Sequence, residues 1–191
     1  MATKRIHFIR HAQSEHNARF ESALDEMAVR HDPSLRDAPL TALGQSQAHG
    51  LRAEVNALCE VELVVISPLS RAVETTLAAF NNHPAPRIVH DLHREYLQSF
   101  CDIGSSPDRL SQAFPALDFD HLDDPWWHVG EASDDPFAPE PVESLLTRVA
   151  TFADWLSARP EFEIAVVGHG TFLRHLTGHA FGNAERIKTA F

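Results

Sequence analysis

Short apolar runs of strand length recur along the chain, separated by longer stretches whose apolar residues return with helical spacing. Residues 6–9, 63–66 and 164–167 are the runs, and continuous apolar runs bounded by polar residues predict strands buried on both faces. Helical spacing predicts a helix over residues 41–57, with Thr41 as its N-cap and Leu43, Ala48, Leu51, Val55 and Leu58 on one face. A second helix is expected over residues 69–80, behind Ser67 as a cap and Pro68 as a first-turn residue. Residues 142–158 place Leu145, Val149, Phe152 and Leu156 on one buried face of a third. Weaker patterns suggest a short helix within residues 20–36, from Phe20, Leu24, Met27 and Ala28, a strand over 87–92 and a helix over 171–179.

Strand, polar turn and helix thus follow one another repeatedly, which predicts an α/β fold: a three-layer sandwich with a mostly parallel central sheet and helices on both faces. At 191 residues the chain suits a single domain. Residues 114–141 are rich in Pro and Asp and carry Trp126 and Trp127, so they are expected to form a long excursion, a variable loop or lid, and not a linker. In open α/β sheets ligands gather beyond the carboxyl ends of the strands. Arg10 and His11, the segment from Ser67 to Arg71, and His169 all fall there.

Composition narrows the ligand. The chain is 43% hydrophobic and 23% charged, as in a packed globular protein, and its formal net charge is −11. Such a field repels polyanions, so nucleic acid and anionic membrane are not expected partners, whereas a small phosphorylated substrate is compatible if cations line a cleft. Cys59 and Cys101 follow no secretory leader, which makes a cytoplasmic protein the simpler expectation. Thirteen histidines include no His-x-x-x-His pair with a nearby third ligand, and no metal site or cofactor is expected.

Transfer of a phosphoryl group asks for fixed cations around three charged oxygens and a nucleophile in line with the leaving oxygen. Arginine forks meet the first need without a metal, and Arg10 and Arg71 are the candidates. A neutral imidazole meets the second, and His11 is placed for it beside Arg10. His169 is suited to donate to the transferring oxygens, with Gly168 and Gly170 letting backbone N–H groups approach an anion. A carboxyl group is still required to protonate the leaving oxygen and then activate water.

The segment Phe8-Ile-Arg-His-Ala-Gln-Ser-Glu-His-Asn17, the segment Pro39-Leu-Thr-Ala-Leu-Gly44 with Gln47 and Ala48, the segment Ser67-Pro-Leu-Ser-Arg-Ala-Val-Glu-Thr75 and Val167-Gly-His-Gly170 together resemble the motifs of the histidine phosphatase superfamily, the phosphoglycerate mutase-like family, in the same order. The resemblance implies a phosphate pocket of Arg10, His11, Arg71 and His169, with His11 becoming a phosphohistidine. It also implies that Asn17 contacts the phosphate, with Ser14, Gly170 and Asp102 on the substrate side. Glu95 best matches the family's acid, and Asp102 is the second candidate. The implied activity is that of a metal-independent phosphomonoesterase of the histidine acid phosphatase type acting on a small metabolite. The alternatives are mutase-type phosphoryl transfer and a catalytically silent phospholigand-binding protein. One position departs from the pattern: Ala12 stands where the family commonly has glycine.

Overall fold

A computed structural model of the chain describes residues 3–130 and 137–191. Strand β1 (Arg5–Arg10) leads into helices α1 (Glu15–Glu21) and α2 (Glu26–Arg30), a 3₁₀ turn at Pro33–Leu35, α3 (Ala42–Gly50) and α4 (Arg52–Asn56). Strand β2 (Leu63–Ile66), α5 (Ser70–Ala79), β3 (Arg87–Val89), a 3₁₀ turn at Phe100–Asp102 and α6 (Pro107–Ala113) follow. The chain continues through α7 (Val142–Ala158), β4 (Glu163–Gly168), α8 (Gly170–Thr177) and β5 (Arg186–Ala190).

The sheet has the order β3-β2-β4-β1-β5, parallel except at β5, which runs antiparallel to β1 along one edge. Its inner strands are buried on both sides because their side chains alternate between two cores. Ile6, Phe8, Leu63, Val65, Ile164 and Val166 pack with Leu145, Phe152 and Leu156 of α7 and Phe172 of α8. Ile9, Val64, Ile66, Ala165 and Val167 face Leu51, Val55 and Val73 on the other side. This is the expected three-layer sandwich. Register pairs Arg10 with Gly168 and Ile66 with Val167, so His11, His169 and Ser67 leave the sheet at one level.

Several local expectations are revised. The helix over 41–57 breaks after Gly50 into α3 and α4, since glycine is the weakest helix former after proline. Leu43 turns outward at 55% exposure, while Ala48, Leu51 and Val55 are buried. Ser67 caps nothing; α5 starts at Ser70, whose N–H and hydroxyl both donate to the Asp37 carboxylate, at 2.8 and 2.7 Å. Pro68 therefore lies ahead of the helix and not in its first turn.

The stretch 20–36 holds three short pieces instead of one helix, and Leu24 and Met27 are exposed. Strand β3 ends at Val89, short of Leu92. The last helix stops at Gly178, whose φ of 77° only glycine adopts readily.

Within the excursion, Trp126 is buried in the α5 layer and its Nε1 donates to the Ser105 carbonyl at 2.9 Å, so this indole pins the loop. Residues 131–136 of the expected lid lie outside the described residues. Cys59 is exposed, Cys101 is buried, and both are free thiols. Among the described residues, no helix is long and apolar enough to cross a membrane.

Candidate active site

His11 is the first residue past β1, held by its N–H donating to the Gly168 carbonyl at 2.9 Å. Its Nδ1 lies 2.7 Å from the Ala12 carbonyl. A carbonyl only accepts, so Nδ1 carries the proton and Nε2 presents a lone pair. Arg71 donates from Nε to that lone pair at 3.3 Å. Burial, then Arg71 and Arg10, hold the His11 pKa well below 6.5, so the imidazole is neutral near pH 7.

Ala12 sits at the centre of this loop. Its N–H donates to Thr75 Oγ1 at 3.0 Å, and that hydroxyl donates to the Arg71 carbonyl at 2.7 Å. Among the described residues the non-glycine residues with positive φ are Asp37 and Ala184, so Ala12 has an ordinary backbone. Its methyl group is fully buried with Leu40, Ala48 and Ala78. The strain that alanine would bring at a glycine-only position is absent.

The segment 41–47 clamps the same loop from outside. Thr41 donates its N–H to the Gln13 carbonyl at 3.0 Å, and the Gln13 N–H donates to Gln47 Oε1 at 2.9 Å. A Cβ on Gly44 would stand 2.0 Å from that Gln13 carbonyl, which is why the position tolerates no side chain. Ser14 then caps α1, and Asn17 Oδ1 accepts from the Ser14 N–H and hydroxyl and from Asn183 Nδ2. The Asn17 amide is oriented by its oxygen, which leaves its nitrogen as the donor.

Arg71 is aimed by two acceptors, the Cys101 carbonyl at 2.7 Å from Nη1 and Asp102 Oδ1 at 2.9 Å from Nη2. Asp102 Oδ2 in turn accepts the N–H groups of Gln98 and Ser99. The Asp102 carboxylate is thus committed to holding Arg71. Glu95 is differently placed: its oxygens accept the N–H groups of Thr171 and Phe172, at the start of α8, and of Tyr96. Burial, then the charge of Asp102, push the Glu95 pKa up, which favours the protonated form that a proton donor needs. Arg148, ion-paired to buried Glu140 at 2.7 Å, ties down the carbonyls of Leu92 and Arg94 just ahead of Glu95.

Arg10 Nη1 donates to the Phe181 carbonyl at 2.7 Å, while its Nε is buried with no partner among the described residues. A Cβ on Gly170 would come 3.2 Å from that Nε, so the glycine makes room for the guanidinium. His169 stacks obliquely on His11 with ring centroids 5.1 Å apart, and its Nε2 is 2.7 Å from Ser67 Oγ. Its Nδ1 is buried and unpartnered, and burial, then Arg71 and His11, set its pKa well below 6.5.

These groups border a cleft of about 230 Å³ lined by Arg10, His11, Ser14, Asn17, Arg71, Glu95 and Asp102. His169 and Gly170 stand behind that lining, against His11 and Arg10. The sequence points to no role for Thr75 and only to a capping role for Ser67, although both lie inside a recognised motif. Asn183, which donates to the His11 carbonyl at 3.2 Å, carried no signal at all. His16, Phe20 and Arg30 also line the cleft. Among the described residues, no three His, Cys, Asp or Glu side chains are grouped to hold a metal ion. The arrangement suits an anion seated against the His11 lone pair, between the Arg10 and Arg71 guanidinium groups and beside the unpartnered ring nitrogen of His169.

The chain is similar in sequence and fold to several known proteins. The family model of the histidine phosphatase superfamily (branch 1) matches residues 6–188. A phosphoglycerate mutase-like protein of Arabidopsis thaliana is 32% identical over 91% of this chain and 73% of its own length. A glucosyl-3-phosphoglycerate phosphatase of Mycolicibacterium vanbaalenii is 28% identical over 95% of this chain and 76% of its own. The crystal structure of a putative α-ribazole-5′-P phosphatase from Escherichia coli superposes with a TM-score of 0.66 at 19% identity, covering 97% of this chain and 89% of that one.

Proposed function

Because the chain belongs to the histidine phosphatase superfamily, we propose that it hydrolyses small phosphomonoesters through a phosphohistidine formed on His11, with arginines in place of a metal ion. One observation carries the reading: the neutral, anchored His11 Nε2 lies 3.3 Å from Arg71 Nε, in a site where, among the described residues, Arg10 Nε and His169 Nδ1 are buried without partners. Buried donors are rarely left unpaired, and an oxyanion beside His11 supplies what they lack.

In the first step Nε2 attacks phosphorus and the bond from phosphorus to the leaving oxygen breaks, while Glu95 gives its proton to that oxygen. Arg10, Arg71, Asn17 and His169 hold the three oxygens. In the second step water attacks phosphorus and Glu95 takes back a proton. The bond to Nε2 then breaks, and inorganic phosphate and neutral His11 remain. Two of the similar proteins are named as phosphatases, with different substrates in their names, which fits hydrolysis on a common pocket.

The test is a trapped intermediate. Enzyme quenched in alkaline detergent after mixing with a ³²P-labelled aryl phosphate should carry base-stable, acid-labile label, absent from His11→Ala, and should release inorganic phosphate in the presence of chelator. Full turnover by His11→Ala would refute the nucleophile. Return of label to a second alcohol with no phosphate release would establish transfer instead of hydrolysis.

A further inference from the structure

The proposed chemistry uses the inner half of the cleft and leaves its outer wall unexplained. That wall is made by His16 and Phe20 of α1 and Arg30, the last residue of α2. The Arg30 guanidinium lies 4.9 Å from the centroid of the Phe20 ring, and His16 stacks on the same ring at 5.6 Å. Phe20 therefore packs against both nitrogen-bearing groups. Among the described residues, no carboxylate stands within ion-pair distance of Arg30, although the protein carries 27 acidic residues. His16 Nε2 is buried and has no hydrogen-bond partner. Among the described residues, a guanidinium without an ion-pair partner and a ring nitrogen without a hydrogen bond thus face the same cleft as His11.

The carboxylates of the cleft do not answer this need. Asp102 is bound to Arg71, and Glu95 accepts from the start of α8. Arg10 and Arg71 converge on the transferring group, which leaves Arg30 as the cation of the cleft that serves no inner contact. A guanidinium packed over an aromatic ring spends no N–H group on that contact and keeps them free for oxygens.

We propose that Arg30, His16 and Phe20 form a leaving-group subsite that reads a second oxyanion, a carboxylate or a second phosphate, on the alcohol of the substrate. Arg30 pairs with that oxyanion, His16 Nε2 donates to it, and Phe20 keeps both aligned. The subsite rests on the phosphatase reading, because it selects among esters that the inner pocket cleaves. Arg30 as a mere surface cation, packed on Phe20 at the end of a five-residue helix, is the competing account.

Three esters separate the outcomes: phenyl phosphate, 3-carboxyphenyl phosphate and 1,3-phenylene bisphosphate. The ratio of kcat/KM for an anion-bearing ester to that for phenyl phosphate should be about tenfold or more, as expected for one charge-assisted pair. Arg30→Gln should bring that ratio close to one, and Arg30→Lys should keep part of it. The arm that shows the preference identifies carboxylate or phosphate. A packing role for Arg30 would lower all three values together and leave the ratio intact, and that result overturns the proposal. So does a wild-type ratio of one in both arms. If none of the three esters is cleaved, the phosphatase reading fails and the subsite falls with it; cleavage of the anion-bearing esters alone is the strongest form of the expected preference.

Discussion

Ala12 offers the sharpest test of how the nucleophile loop is built. The family pattern has glycine there, so Ala12→Gly restores the common residue, and an argument from resemblance alone expects a gain. The structure argues for a loss. The methyl group is fully buried among Leu40, Ala48 and Ala78, and removing it forfeits about 0.8 kcal/mol of transfer free energy. Because φ is not positive at Ala12, glycine brings no conformational relief; it adds unfolded-state freedom that costs about 0.5–1 kcal/mol. The two terms sum to about 1–2 kcal/mol, and for a chain of this size that lowers Tm by about 2–8 °C. Thermal and urea unfolding followed by circular dichroism should show this shift with an unchanged m-value. Turnover of an aryl phosphate should stay within about threefold, since the Thr75 bond to the backbone N–H survives. A variant as stable as the parent, or one turning over ten times faster, would mean that the loop favours a glycine conformation and that the account of Ala12 is mistaken.

Two further outcomes are expected. The kcat/KM profile should rise with pH as His11 loses its proton, at a pKa well below 6.5, and fall as Glu95 loses its own at a raised pKa. Glu95→Gln should abolish the basic limb and lower kcat/KM, which reports the phosphorylation step, by about 10²–10⁴ for alkyl phosphates but far less for nitrophenyl phosphate; equal kcat/KM losses on both leaving groups would remove Glu95 as the acid. Separately, buried His93 has its pKa lowered to about 3, mainly by burial, and stacks on Phe152 at 4.7 Å. The unfolded chain takes up that proton near pH 6.5 and the folded chain does not, so stability falls as pH drops through that window. His93→Phe should therefore lose about 2 kcal/mol less than the parent between pH 6.5 and 5 in urea titrations, and parallel losses would contradict the assignment.

The sandwich was legible from three apolar runs because burial on both faces leaves a continuous pattern, and 63–66 agrees with β2 to the residue. Helix α7 was equally clear because one stripe carries its burial. The segment 20–36 misled because Leu24 and Met27 mimic helical spacing while lying in solvent. Ser67 looked like a cap because local sequence cannot show that its hydroxyl is taken by His169, 102 residues away. Within the site, motif residues that touch the cleft were readable, and the choice between Glu95 and Asp102 was not. That choice turns on which acid Arg71 holds, a contact made only in three dimensions. Asn183 was invisible for the same reason.

Strand β1 carries the proposed nucleophile at its end, yet both of its sheet neighbours come from the far end of the chain, with Arg5 opposite Glu163 on one side and Ala190 on the other. The Arg10 N–H donates to the Glu185 carbonyl, and the His11 carbonyl accepts from Ala184 and Asn183. Contacts of such sequence separation close large loops and form late, after helices and local turns. During refolding, far-UV ellipticity should recover ahead of catalysis. Regained turnover thus reports closure of the sheet around its earliest strand, and a population can look folded by its helices while it is still without a working site.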